Sequence, residues 1–152
     1  MIYRERVSPS IWVYIIGAMI VPAVFVVFMP INKLVGGILA IALYAGYLIT
    51  LYTGSPMIEV DKTTLRVGSA KVPLQHVGTA TAHPTADDAR LQAGPNLDAR
   101  AWTCLRGWVS TSAQVEIVDE HDPIPYWLFS TREPEKVVAA IREATSQLPE
   151  TK

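Results

Sequence analysis

Hydrophobic and polar positions divide this chain into two regimes. Residues 11–29 and 34–52 carry no charged or histidine side chain, and only Pro30, Ile31, Asn32 and Lys33 separate them. Each run holds 19 residues. At about 1.5 Å per helical residue each spans roughly 28 Å, close to the ~30 Å hydrocarbon thickness of a bilayer, so the pattern predicts a transmembrane helical hairpin within residues 1–56. A cleaved signal peptide has a shorter apolar stretch and a small-residue cleavage site, whereas the first run ends Phe28, Met29, Pro30 and leads into a second span. A hairpin buried in a soluble protein would show a polar stripe, and neither run has one.

Within the hairpin, Gly36 and Ala40, then Ala42 and Gly46, are spaced four apart, with Gly17 and Ala18 in the first span, which predicts that these small residues form the seam between the two helices. Pro22 removes a backbone donor near the middle of the first span and predicts a kink there. Arg4 and Arg6 precede the hairpin, Lys62, Arg66 and Lys71 follow it, and Lys33 stands alone in the turn, a bias that places both termini in the cytoplasm. Trp12, Tyr14 and Tyr52 fit interfacial anchors on that side. A span without ionisable groups argues against a proton relay or ion pathway within this one chain.

Beyond residue 56 the pattern alternates. Short strands are predicted over 57–61, 64–67, 71–74, 77–82, 101–106, 113–118 and 126–130, with turns at Asp61-Lys62, Gly68-Ser69 and 119–123. Thr85 with Asp88 three residues on reads as a capping box opening a helix over 86–92, stopped by Gly94-Pro95. Val137, Ile141, Ala144 and Leu148 share one face of a final helix over 134–148. Seven strands and a C-terminal amphipathic helix are the element order of a pleckstrin-homology-like barrel, so the expected architecture is an α+β membrane protein: a helical hairpin (1–56) carrying one cytoplasmic pleckstrin-homology-like domain (57–152).

Charge refines this picture. The chain has 13 basic and 14 acidic residues, and with Arg4, Arg6, Lys33 and Glu5 assigned to residues 1–52, the remainder holds 10 and 13 and is mildly acidic. That balance argues against a nucleic-acid module or a polybasic membrane-surface domain. Cys104 is the single cysteine, which excludes an intrachain disulfide and a thiolate metal site. Asp119, Glu120, His121 and Asp122 are consecutive in a turn and point apart, so no metal or cofactor is expected there; His76, His83 and the Asp87-Asp88 pair fall in no recognisable catalytic motif.

The segment richest in chemistry is Asp122-Pro123-Ile124-Pro125-Tyr126-Trp127-Leu128-Phe129-Ser130-Thr131-Arg132-Glu133-Pro134. Together with Leu105-Arg106-Gly107-Trp108 and with Tyr3-Arg4-Glu5-Arg6 ahead of two spans, it resembles an actinobacterial family of small membrane proteins defined only as a domain of unknown function. The resemblance covers nearly the whole chain, implies a bacterial plasma-membrane location, and supplies no catalytic residues. Read physically, Tyr126, Leu128 and Ser130 share one strand face and Trp127, Phe129 and Thr131 the other; with both faces apolar the strand is expected to be central or covered by the last helix, and its aromatics to be core. Ser130 and Thr131 are natural N-caps for the last helix. Arg132, a cation in its first turn, either pairs with a carboxylate such as Glu135 or Asp122 or helps hold an anion against the helix amides.

The candidate anion or partner site is thus Ser130, Thr131, Arg132, Arg106, Trp108, Tyr126 and Trp127. The leading expectation is a non-enzymatic, integral-membrane accessory protein whose cytoplasmic domain engages a protein or a lipid headgroup. The alternatives are a small subunit of a transport or cell-envelope complex, or an enzyme of unrecognised type on a membrane-proximal substrate.

Overall fold

The computed structural model describes residues 2–148; Met1 and residues 149–152, the last of them assigned above to the cytoplasmic domain, lie outside the described residues. The chain forms two units, one from residues 8–55 and one from residues 56–148 joined by residues 2–7.

The first unit is the hairpin. Its first span is divided into α1 (Ile11–Ala18) and α2 (Ile20–Phe28), and its second is the continuous α3 (Lys33–Thr53). The break falls at Met19, three residues before Pro22: the proline has no N–H for the Ala18 carbonyl and its ring crowds that oxygen, as expected of a kink. Asn32 caps α3, its Oδ1 accepting from the Leu34 N–H at 2.9 Å and the Val35 N–H at 3.2 Å. Gly17 and Gly36 sit in the seam, where a Cβ on Gly17 would overlap the Tyr47 ring and one on Gly36 would lie 2.8 Å from Phe28 Cβ. Ala40 is buried with them. Ala42 and Gly46 are not part of the seam: both are exposed, and a Cβ on Gly46 would meet nothing. One helix neighbour covers only one stripe, and Gly36 and Ala40 already occupy it. The Tyr47 hydroxyl donates to the Val13 carbonyl at 2.9 Å, so the phenol that fills the Gly17 notch also ties the spans together. Both spans are long and apolar enough to cross a membrane, with only 6% and 17% of their apolar windows buried, unlike core helices of a soluble protein.

The second unit is a two-sheet α+β structure. Sheet 1 has the order β1 (Tyr3–Arg6), β2 (Met57–Val60), β3 (Thr64–Val67), β4 (Ala70–Pro73), all antiparallel. Gly68, at φ 58°, takes the left-handed position in the tight β3–β4 turn. After a 3₁₀ turn at Leu74–His76, sheet 2 has the order β5 (Val77–His83), β7 (Ser112–Ile117), β8 (Tyr126–Ser130), β6 (Trp102–Cys104). Helix α4 (Ala86–Ala93) lies between β5 and β6, and α5 (Pro134–Ser146) closes the chain. The Thr85 cap is present: its Oγ1 accepts from the Asp88 N–H at 3.1 Å and donates to Asp88 Oδ2 at 2.6 Å. Alternation sends Ile58, Val60, Leu65, Val67, Val115, Trp127 and Phe129 into one core, where Val137, Ile141 and Ala144 of α5 meet them.

Two expectations need correction. There are eight strands among the described residues rather than seven, and the division of 1–56 from 57–152 misplaces the N-terminus: Tyr3–Arg6 is an edge strand of sheet 1. The charged tetrapeptide read as a membrane flank alternates, with Tyr3 and Glu5 on the core side and Arg4 and Arg6 outside, and Val7 completes the inner row fully buried. Within sheet 2, β6 runs parallel to β8, and the segment 105–125 carries the chain across from one to the other.

Arg6 pairs with Met57 and the Val7 N–H donates to the Pro56 carbonyl at 3.0 Å, so the whole hairpin occupies the place of a β-turn between β1 and β2. Replacing residues 8–55 by a short glycine–asparagine turn is therefore expected to give a soluble domain that melts cooperatively in circular dichroism. The fragment 56–152 without β1 is expected to be less stable by on the order of 3 kcal/mol, for the lost Val7 burial and strand bonds. Equal stability of the two would show that β1 is not part of the folding unit.

Candidate functional site

The junction of β8 with α5 carries two of the sequence-selected residues, Thr131 and Arg132. The N-cap position of α5 is Glu133, whose side chain makes no cap bond, and Pro134 occupies the first turn. Thr131, fully buried, serves in its place from two residues upstream: its Oγ1 accepts from the Glu133 N–H at 3.2 Å. The same hydroxyl donates to Glu5 Oε2, while Glu5 Oε1 accepts from the Arg132 N–H at 2.9 Å. Tyr3 completes the cluster, its phenol donating to Glu5 Oε2 at 3.0 Å. Glu5 is thus the anion at the start of the last helix, delivered by a strand from the opposite end of the chain. Arg132 contributes its backbone N–H to that carboxylate. Burial, and then the Glu5 charge beside it, push the Tyr3 phenol well above its ordinary value.

The remaining selected residues are dispersed. Trp127 is core, 5% exposed, with its ring 5.0 Å from that of Trp102, and β8 is central in its sheet as expected. Tyr126 faces the other way and holds a loop, its hydroxyl accepting from the Asp98 N–H at 2.8 Å and reaching the Asn96 carbonyl at 3.4 Å. Trp108 donates through Nε1 to the Val7 carbonyl at 3.2 Å, pinning the loop after β6 to the end of β1. Arg106 and Ser130 meet: the Arg106 N–H donates to Ser130 Oγ at 2.9 Å. The seven residues therefore do not form one site; they fall into the Glu5 junction, two loop anchors, a core ring, and the Arg106–Ser130 pair.

That last pair lies in a cleft of about 290 Å³ between α4 and the outer face of sheet 2, lined by Ala89, Arg90, Arg106, Thr111, Ser112 and Ser130. Sequence reading missed Ser112 and Arg90. The strand was begun at residue 113, one position late, and a lone serine beside an arginine on a separate helix carries no motif. Cys104, near Arg106, is buried, and burial raises its thiol while the Arg106 charge opposes the rise, which leaves it protonated and unreactive at neutral pH. In the 119–124 turn, Asp119 Oδ1 accepts from the His121 N–H at 3.0 Å and Asp122 Oδ1 from the Ile124 N–H at 3.0 Å, so these carboxylates shape the turn itself.

The model of a family described as a protein of unknown function (DUF3093) matches residues 2–141, from the edge strand through most of the closing helix. The chain belongs to this family. The DUF3093 match includes both units, the Glu5 junction and the cleft, and the family description states no activity. No curated protein and no solved structure matches the chain.

Two measurements address the Glu5 junction. Glu5→Ala strands the buried Thr131 hydroxyl and the Arg132 N–H together, and is expected to cost about 2 kcal/mol in urea unfolding of the re-linked soluble domain. A loss below a few tenths would show that these bonds add nothing to the fold. Tyr3 gives a pH signature: the folded phenol binds its proton more tightly than the unfolded one, so its contribution is complete below the unfolded value of about 10 and is lost as pH rises toward the folded value. Tyr3→Phe is expected to flatten the alkaline decline in melting temperature above pH ~10.

Proposed function

We propose that this member of the DUF3093 family is a membrane-anchored, non-enzymatic binding module of the bacterial plasma membrane, with both ends of its hairpin and its whole β unit on the cytoplasmic side. The observation that carries the reading is the β1–β2 pair. Because the strands before and after the hairpin are hydrogen-bonded neighbours of one sheet, the chain leaves and returns on the same side, which supports two crossings rather than one. The outer face of sheet 1 supports the cytoplasmic assignment: Arg4, Glu59, Arg66 and Lys71 are in register across four strands, with Arg6 beside them, a net excess of cations within the roughly 15–20 residues flanking the spans over which the bias is counted. Glu59 bridges two of them, at 3.4 Å to Arg4 and 3.8 Å to Arg66.

The succession of an antiparallel meander, a second sheet and a C-terminal helix supports a pleckstrin-homology-like relationship, extended by β1 and by the parallel β6. In this reading the domain is held at the bilayer by its own hairpin, so its recognition surface needs no membrane affinity of its own. Its partner is a protein or a headgroup-bearing lipid within reach of the cytoplasmic leaflet.

Topology is the direct test. In a Cys104→Ala background, a cysteine placed at Asn32 is expected to react in intact cells with a membrane-impermeant thiol reagent, while one placed at exposed Lys71 reacts only after lysis. Labelling of the Lys71 position in intact cells would invert the proposed orientation, and labelling of neither after lysis would remove the accessible-turn model.

A further inference from the structure

The two faces of sheet 2 are built differently. Ala113, Val115, Trp127 and Phe129 point to the core, so alternation sends Ser112, Leu128 and Ser130 to the opposite face, beneath α4. Register places His83, Ser112 and Ser130 directly side by side across β5, β7 and β8 on that face. An outer sheet face covered by a helix is ordinarily apolar; here α4 offers only Ala89 and Ala93, Leu105 and Val109 form an apolar side of the cleft, and the row beneath is polar.

Ser112 is the decisive residue. It is 1% exposed, it lines the cleft, and its hydroxyl has no hydrogen-bond partner, as is also true of buried His83 Nε2. Burying a hydroxyl unpartnered is unfavourable, and such a group recovers that loss when an acceptor enters. The surrounding chemistry selects the acceptor. Arg90 and Arg106 both line the cleft, and no carboxylate is among the described lining residues. Arg90 lies 3.5 Å from Asp87, but both side chains are largely exposed, and a solvent-screened pair of that kind yields readily to a better partner. Thr111 and Ser130 already have their own contacts, the first donating to the Thr131 carbonyl at 2.6 Å and the second accepting from the Arg106 N–H, so the floor is held rigidly.

We propose that this cleft is a binding site for a phosphate monoester. Arg90 supplies charge and a planar donor pair suited to phosphoryl oxygens, Arg106, whose Nη1 already donates to the Leu105 carbonyl at 2.9 Å, adds a second positive charge, Ser112 supplies a short-range donor, and a volume near 290 Å³ admits the phosphoryl group with a small organic remainder. The assignment rests on reading the β unit as a binding module and gives that module a ligand class. The ester comes from one of two sources, a soluble phosphorylated metabolite or a lipid whose headgroup ends in a phosphomonoester.

The test uses the full chain in detergent micelles, with inorganic phosphate and glycerol 3-phosphate as soluble probes, acetate and sulfate as controls, and nanodiscs of neutral lipid with or without phosphatidic acid. Phosphate and glycerol 3-phosphate are expected to raise the melting temperature at millimolar concentration, with an effect that weakens as salt rises. Arg90→Ala is expected to weaken binding about tenfold. Ser112→Ala removes an unpartnered hydroxyl, so without ligand it is expected to melt no lower than wild type, yet to bind phosphate more weakly by roughly the same factor. A shift with glycerol 3-phosphate that phosphatidic acid nanodiscs do not reproduce assigns the soluble source, and a shift in phosphatidic acid nanodiscs that exceeds every soluble probe assigns the lipid. Equal shifts with acetate or sulfate, or equal phosphate binding by both variants, would overturn the site. So would the absence of any shift with a folded protein, an outcome that leaves the anchored-module reading to the topology test.

Discussion

Everything in this protein depends on the pairing of β1 with β2 across a 48-residue insertion, Ser8–Ser55. A β-hairpin normally closes through a few residues, and the entropy of closing a longer loop grows only slowly with its length, so a helical hairpin can replace the turn provided its own ends stay close. The antiparallel packing of α1 and α2 against α3, with Gly17 and Gly36 allowing close approach, keeps them close. In return β1 gains a neighbour, Val7 gains a core, and Glu5 is carried to the far end of the second unit, where α5 begins.

Buried polar groups in that unit are treated in two opposite ways. At the α5 junction each one is answered: Glu5 accepts from Tyr3, Thr131 and the Arg132 N–H, and Thr131 also serves Glu133. A carboxylate so placed answers the donors around the helix start from within the chain. Beneath α4 the answer is missing, and Ser112 keeps a hydroxyl without a partner beside two arginines. The same sequence thus places a fully partnered carboxylate and an unpartnered hydroxyl at separate positions, although Thr131 beside the one and Ser130 beside the other are adjacent in the chain.

How much of this the sequence disclosed follows from how local each signal is. The spans were legible because hydropathy over 19 residues needs no tertiary context, and the Met19 break because Pro22 acts on its own helix. The meander, the Thr85 cap and the apolar face of α5 were legible for the same reason. Edge strand β1 was not, since four residues with three charges resemble a membrane flank until Glu5 is seen to face Thr131. Parallel β6 was also hidden, because alternation reveals a strand but not the direction of its neighbour. Among the candidate site residues the aromatic Trp127 was placed correctly as core, while the bond from the Arg132 N–H to Glu5 joins residues 127 positions apart and leaves no local signal. Ser112 required register across three strands, information that no single segment contains.

The position of β1 ahead of the hairpin also sets the order of events during synthesis. The strand leaves the ribosome first, but its partner β2 is made only after residues 8–55 have followed. At about 5–20 residues per second β1 waits several seconds without a sheet. During that wait the helical spans are already committing to their surroundings, so sheet 1 closes only on chains whose two helices have brought Val7 and Pro56 back together. The edge of the β unit is thus conditional on the hairpin: β1, though made before β2, pairs with it only where residues 8–55 return Pro56 beside Val7.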